Sequence, residues 1–460
     1  MALVVNFSSL EFLFRFLPVF LILYFIVPRK YRELTLLVGS FVFYAFGDLK
    51  FLLVLALLIL LNYALASASW KQQEGYSIQE WQQQKRKRYL TMAVFLDAGA
   101  LLLFKCLGVF VSETLLPLGI SFYIFKMISF QADVYKKEIF SKPKLKYVAL
   151  YFSLFPQVIS GPIMRYGEGE FELDRTCGPE ELEEGLFYFV SGLGMKVLLA
   201  DRLAILWNDL QMIGFQSIST PLAWLGALGY SLQLYFDFWG YSLMASGLMV
   251  ILGFPFIQNF DHPYASKSIA EFYRRWHMTL GSWFRDYVYI PMGGSRCTNK
   301  RLVRNLALVW VLTGLWHGSG INFLIWGGLL GLFIILEKLF YGKYLAKLPV
   351  LGHLYVLVLI PLSWVIFALT DLKELGLYFS RLFPFFGEGI AVHQGDFLKY
   401  AENYGIFFVA GILLCIPASF RFLQKHRKNP AVLLLMLLVF WACVYLISGS
   451  AGNPFMYLKF

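Results

Sequence analysis

Charge is scarce in this chain: Asp, Glu, Lys and Arg make up 15% of its 460 residues, against 58% hydrophobic and 18% aromatic residues. Apolar runs of about 15–20 residues recur with no polar face left for water, which excludes a soluble domain and leaves a polytopic membrane protein. Cysteine is sparse too. Cys106, Cys177, Cys297, Cys415 and Cys443 stand apart without C-x-x-C spacing, so neither a disulfide framework nor a zinc site follows, and no metal is expected. The first apolar run, Phe12 to Val27, lacks a small-x-small cleavage site and is followed by Pro28, Arg29 and Lys30; it reads as a retained span. No clean internal repeat is visible, so the inverted halves of many secondary transporters are not in sight.

A formal net charge of +11 raises the question of nucleic acid. The cations fall in short connections between apolar runs, where anionic headgroups and the positive-inside bias account for them. No nucleic-acid site is read. Basic connections after the first span, at Lys85 to Arg88 and at Lys136 to Lys146, mark the cytoplasmic side. Residues 168–184, with seven Glu and one Asp against one Arg, and 371–403, with five acids against three bases, read as outside. Counting every candidate gives fourteen crossings, several short or kinked. The stretch from Leu116 to Gln131 carries Pro117, Gly119, Ser121, Lys126 and Gln131, a poor simple span that suggests a broken or re-entrant segment lining a cavity. Residues 222–236 and 240–258 read as a pair broken at Asp237.

The least lipid-like stretch is 259–328. Among its histidines are His277, set among arginines and tryptophans in RRWHMTLGSWFRDYVYIPMGG, and His317, inside the apolar NLALVWVLTGLWHGSGINFLIWGG. A helix rising from the basic patch through Asn305 carries His317 about 18 Å, to roughly mid-bilayer. A polar group there costs several kcal/mol unless it is paired or faces a water-filled cavity, and such residues are functional candidates by default. The alternative is a structural histidine hydrogen-bonded between helices.

These two motifs, together with LPLGISFYIFKMISFQADVY, SGPIMRY and YFDFWGYSLMASGLMVILGF, resemble the membrane-bound O-acyltransferase superfamily. The likeness is to its bacterial branch of alginate O-acetyltransferase membrane subunits and D-alanyl-transfer proteins, and it covers most of the chain. It implies an all-α polytopic membrane protein of about 11–14 membrane-embedded helices, with broken or re-entrant segments around a central funnel or tunnel. The chain then forms a single domain, with 259–328 as catalytic core and 453–460 as a C-terminal acceptor motif. The expected enzyme is a cell-membrane acyltransferase that moves an acyl group, most simply acetyl, from a cytoplasmic thioester toward hydroxyls of envelope polysaccharide.

The resemblance makes His317, within Trp316-His317-Gly318, the catalytic residue. A base must take the hydroxyl proton in a site that excludes water, and a buried neutral imidazole suits that task. His277 is the second candidate, either orienting the donor or capping a polar loop. Arg274, Arg275 and Arg285, with Trp276 beside them, are candidates for the phosphates of acetyl-CoA or a phosphopantetheine carrier arm; solvation or lipid headgroups are the plainer reading. Asp286 is expected to pair with a nearby arginine. Asp237 is either an intramembrane structural acid or a tunnel residue. Phe455, Tyr457 and Phe460 form F-x-Y-x-x-F, in which the family likeness makes Tyr457 an acyl acceptor; aromatic anchoring at the interface is the alternative.

No cofactor is expected to stay bound, the thioester being a co-substrate. The implied partners are membrane lipids, an SGNH-type, hydrolase-like extracytoplasmic acyltransferase, an acyl carrier protein and, indirectly, the polysaccharide. D-alanyl transfer to teichoic acid is the rival within the chemistry. A transporter or lipid flippase that uses His317 for substrate or protons is the rival outside it.

Overall fold

The computed structural model describes residues 6–71, 80–169, 171, 177–383 and 395–449, and all regular structure among them is helical. Eight helical stretches there are long and apolar enough to cross a membrane. The first, Arg29–Lys71, is two legs meeting at Asp48, whose backbone leaves the helical region (φ −155°, ψ 71°). Shorter or more polar helices, such as Phe12–Ile26 and Asn299–His317, add to these eight. The chain divides into two compact units.

The first unit comprises Met1–Phe189, Tyr241–Ile257 and Ile447–Lys459. Its first two helices, Leu17–Ile26 and Arg29–Asp48, are separated at Val27 and Pro28, both extended (ψ 137° and 143°), as the residue before a proline prefers. The cations Lys85 to Arg88, read as a connection, belong to the continuous Glu80–Phe110 helix. The Leu116 to Gln131 stretch is broken at Leu116–Gly119, around Pro117, and not at Lys126 or Gln131. Past a left-handed Gly119 (φ +70°) it runs as one helix, Ile120–Lys136. A side chain at Gly119 would lie 2.1 Å from the Val158 carbonyl oxygen, so only glycine fits the turn.

Lys126 and Gln131, beyond that turn, find partners inside the unit. Lys126 Nζ donates to Gln157 Oε1 (2.8 Å) and the Tyr151 carbonyl (3.2 Å). Gln131 Nε2 donates to Asn62 O (2.8 Å) and Oδ1 (2.9 Å), and Asn62 Nδ2 donates to Asp97 (2.8 Å). The buried Arg86 donates to the Val134 and Tyr135 carbonyls at the end of the Ile120–Lys136 helix (2.9 and 2.7 Å), where orphan acceptors and the negative end of the dipole favour a cation. Satisfied inward-facing groups leave the backbone no reason to break.

The second unit comprises Val190–Gly240, Gln258–Leu446 and Phe460. Asp237 does not break its helix either: Thr220–Ile251 is continuous through it. The Asp237 carboxylate lies 2.6 Å from Lys196 Nζ, with both side chains 2% exposed, and the same ammonium reaches Asp201 at 2.7 Å. A neutralised acid needs no exit from the helix. The unit continues through the short helices Ile269–Arg275 and Met278–Phe284, then a hairpin of Asn299–His317 and Ile321–Leu336, and then Pro349–Ala368. Glycines set the closeness of the hairpin. A Cβ on Gly314 would fall 2.6 Å from the Phe323 carbonyl oxygen, one on Gly327 2.6 Å from the Trp310 carbonyl, and one on Gly331 2.8 Å from the Trp310 side chain. Small residues that let backbones touch are the usual means of helix association in lipid.

Candidate active site

The segment bearing His277 is anchored before the histidine is reached. Ser268 caps the Ile269–Arg275 helix by accepting from the Glu271 amide (3.1 Å), and Glu271 accepts in return from the Lys267 amide (2.9 Å), a variant of the capping box. The next two amides, Ile269 and Ala270, donate to the buried Glu337 carboxylate (2.6 and 2.9 Å). Glu337 directly follows the Ile321–Leu336 helix. The helix leading to His277 is thereby tied to the second helix of the hairpin whose first helix ends at His317.

The helix stops at Arg275. Trp276 is extended, and His277 turns left-handed at φ 44°, ψ 55°. For a residue with a Cβ this conformation costs about 1–3 kcal/mol and persists only where surrounding contacts impose it. Here they do. The Asp261 amide donates to the Arg275 carbonyl (3.0 Å) and the Met278 amide to the Asn259 carbonyl (2.8 Å), clamping the turn on both sides. Asn259 Oδ1 meets His277 Nδ1 at 3.1 Å and accepts from the Thr279 amide (3.3 Å) and the Thr279 hydroxyl (2.9 Å).

A backbone N–H can only donate, so the Asn259 atom it meets is the carbonyl oxygen, and that oxygen can only accept from the imidazole. The His277 proton therefore sits on Nδ1 and the lone pair on Nε2. Nε2 is buried and has no hydrogen-bond partner among the described residues. Burial pushes the imidazole down to about 3, so it is neutral at physiological pH.

His317 closes the Asn299–His317 helix, and Gly318 leaves it with extended backbone. Its ring is 4% exposed and packs against Trp316 (centroids 4.6 Å), Trp326 (5.0 Å) and Phe367 (5.2 Å). Trp326 stacks on Trp364 (5.7 Å), and Trp364 meets Trp276 (4.9 Å). His277 packs edge-on against Phe238 (4.6 Å) and lies 6.5 Å from the Trp316 ring. The two histidines, 40 positions apart, thus share Trp316 as a neighbour and line one aromatic wall. Asn322 fixes the hairpin tip by donating to the Ile366 and Phe367 carbonyls (3.2 and 3.1 Å), the open end of the Pro349–Ala368 helix.

The other candidates separate. Trp276 and Trp316 belong to the wall. Arg275 pairs with Glu271 (2.8 Å) and Asp261 (3.9 Å), and Arg285 with Asp286 (2.7 Å), the pairing expected for Asp286. Arg274 is exposed. Asp237 sits on the helix that presents Phe238 to His277, but its carboxylate is turned to Lys196. That favours the structural acid over the tunnel residue. Tyr457 and the 453–460 motif lie outside the described residues. Sequence reasoning passed over Asn259, Glu337 and Asn322, ordinary polar residues whose partners are remote in the chain. It also passed over His262, a buried left-handed histidine (φ 46°) edge-on to Trp239 at 5.2 Å. For Asn322 and Glu337, a polar residue in a stretch otherwise fit for lipid is the signal that was there to use.

The family model described as MBOAT, membrane-bound O-acyltransferase family, matches residues 36–368, which include both histidines and the wall around them. A probable alginate O-acetylase of Pseudomonas fluorescens is 37% identical over 388 residues, 82% of this chain and 76% of that protein. A peptidoglycan O-acetyltransferase of Helicobacter pylori is 32% identical over 422 residues, 81% and 78% of the two chains. A teichoic acid D-alanyltransferase of Bacillus subtilis is 33% identical over 224 residues, 46% and 56%. With a match spanning well over half its length, the chain belongs to the membrane-bound O-acyltransferase family and is a multi-pass membrane acyltransferase.

Proposed function

We propose that the chain transfers an acetyl group from a cytoplasmic thioester to a hydroxyl on its way to envelope polysaccharide, with His317 as the base. The observation that carries this reading is the aromatic wall holding two buried imidazoles around Trp316, one of them a neutral ring with a bare Nε2. His317 takes the proton as the hydroxyl oxygen attacks the thioester carbonyl. The C–S bond breaks, and the imidazolium returns the proton to the leaving thiolate. The indoles keep competing water from the carbonyl. His277, its tautomer set by Asn259, accepts a hydrogen bond through Nε2 and so orients a donor O–H or N–H at the same wall.

The donor is acetyl-CoA or a phosphopantetheine-bearing carrier protein, and exposed Arg274 is the cation available for its phosphates. Tyr457 receives the acetyl group before an extracytoplasmic hydrolase-like transferase passes it to the polymer. Acetyl is favoured over D-alanyl by coverage, because the two O-acetylating relatives align with 81–82% of this chain and the D-alanyltransferase with 46%. The test is incubation of purified full-length protein with radiolabelled acetyl thioester and, separately, with a labelled D-alanyl carrier. Stable label from acetyl on the wild type, absent from Tyr457→Phe and His317→Ala, supports the relay. Equal labelling of all three removes it, and label from D-alanine alone moves the assignment to the rival.

A further inference from the structure

Within the first unit a groove of about 770 Å³ runs along the helices from Phe12 to Asp48, open on one side and walled by aliphatic residues including Val19, Leu23, Val38 and Val42. These four are 42–58% exposed, as expected of a surface that faces acyl chains. The volume lies within the range of about 300–1,000 Å³ typical of small-molecule sites. Phe12 to Ile26 spans about 22 Å at the helical rise, enough to follow a lipid from headgroup into one leaflet of a hydrocarbon core about 30 Å thick.

The lining has two charges, and both are at one end. Glu11 and Arg15 are exposed, and neither has an ion pair or hydrogen bond among the described residues. Four positions apart, they belong to one π-helical turn, Phe12–Phe16, with Glu11 at its N-cap and Arg15 near its end. They supply one carboxylate and one guanidinium, opposite in sign to the ammonium and the phosphate of an aminophospholipid headgroup.

We infer that this groove is a binding site for a zwitterionic aminophospholipid of the phosphatidylethanolamine type. Arg15 holds the phosphate in a charge-assisted, bidentate manner, Glu11 accepts from the primary ammonium, and the acyl chains lie along Val19, Leu23, Val38 and Val42. Arg29, Lys30 and Arg32 cluster at the opposite end of the helix pair; the positive-inside bias assigns that end to the cytoplasm, so the headgroup belongs to the outer leaflet. The site is independent of the acyl-transfer chemistry and stands or falls separately from it.

The test uses full-length protein reconstituted with equal amounts of phosphatidylethanolamine, phosphatidylcholine and phosphatidylglycerol, re-extracted in mild detergent, with retained lipid counted by native mass spectrometry. Wild type is expected to retain phosphatidylethanolamine over the other two by about five-fold, the scale of a partly exposed charge pair. Phosphatidylcholine loses because its quaternary ammonium has no N–H to donate, and phosphatidylglycerol because it has no cation. Glu11→Gln should erase the preference while keeping phospholipid bound. Arg15→Gln should lower retention of all three, and Val38→Trp, which fills the groove from an exposed position, should expel lipid without touching either charge. Equal retention of the three lipids by wild type, or variants indistinguishable from it, overturns the proposal in favour of loosely held annular lipid.

Discussion

Replacing Asn259 with alanine removes the one oxygen that receives His277 Nδ1, the Thr279 amide and the Thr279 hydroxyl. The hydroxyl can rotate to another acceptor, but the imidazole and amide donors are fixed in a buried turn. Each is left without its acceptor at a cost of about 1–3 kcal/mol, so the substitution should destabilise the protein by about 2–6 kcal/mol. The same loss frees the imidazole to exchange tautomers and to leave its left-handed seat. If about 1.5–3 kcal/mol of that orientation is used in the reaction, the rate falls by about 10- to 100-fold. The assay is kcat for acetyl transfer by purified full-length protein, read beside the thermal midpoint. Two companions separate orientation from folding. Thr279→Val deletes only the hydroxyl bond and should keep kcat within a few-fold. Asn259→Asp keeps an acceptor facing Nδ1 and should recover most of the rate, with its acid limb moved to higher pH because a carboxylate favours the imidazolium. Wild-type kcat in a folded Asn259→Ala protein, or an equal loss in Thr279→Val, would refute the tautomer argument.

Two other consequences follow from buried charge. Lys196→Met strands the Asp237 and Asp201 carboxylates and should cost about 3–5 kcal/mol of stability, with a smaller loss in Lys196→Met/Asp237→Leu; unfolding midpoints in detergent decide, and an additive double variant would rule out the pairing. His277 is held down to about 3, whereas an unfolded imidazole titrates near 6.5. Between those values the unfolded chain binds the extra proton, so stability rises with pH across the window and falls on acidification, by up to about 1.4 kcal/mol per pH unit. Midpoints measured from pH 7 to pH 4 should fall less steeply for His277→Gln than for wild type; identical slopes would show that this imidazole does not carry the effect.

The hairpin tip was legible because an imidazole in an apolar run is an expensive anomaly, and the family likeness then supplied a use for it. The all-helical membrane architecture followed from hydrophobic run length alone. What stayed hidden was direction and partnership. Lys126 and Gln131 looked like reasons for a broken segment because a one-dimensional reading cannot tell an inward-facing polar group with a partner from an exposed one without. Asp237 looked like a break for the same reason; its counter-ion Lys196 is on another helix, 41 positions away. The wall joins Trp276, from the turn between two short helices, with Trp316, Trp326 and Trp364 from three further helices, and nothing in their spacing marks them as neighbours. Asn259 was invisible because its value lies in a bond to a residue 18 positions later, made only once a strained turn has formed.

Removal of the acceptor's proton by the His317 imidazole within the membrane is the step on which the proposed reaction turns. It is tested most directly by single-turnover acetyl transfer in proteoliposomes, comparing wild type with His317→Gln, a neutral side chain of similar reach that can hydrogen-bond but cannot serve as a base near pH 7. The expected result is a fall of about 10²–10⁴-fold in the transfer rate with thioester binding unchanged. Transfer within a few-fold of wild type would contradict it.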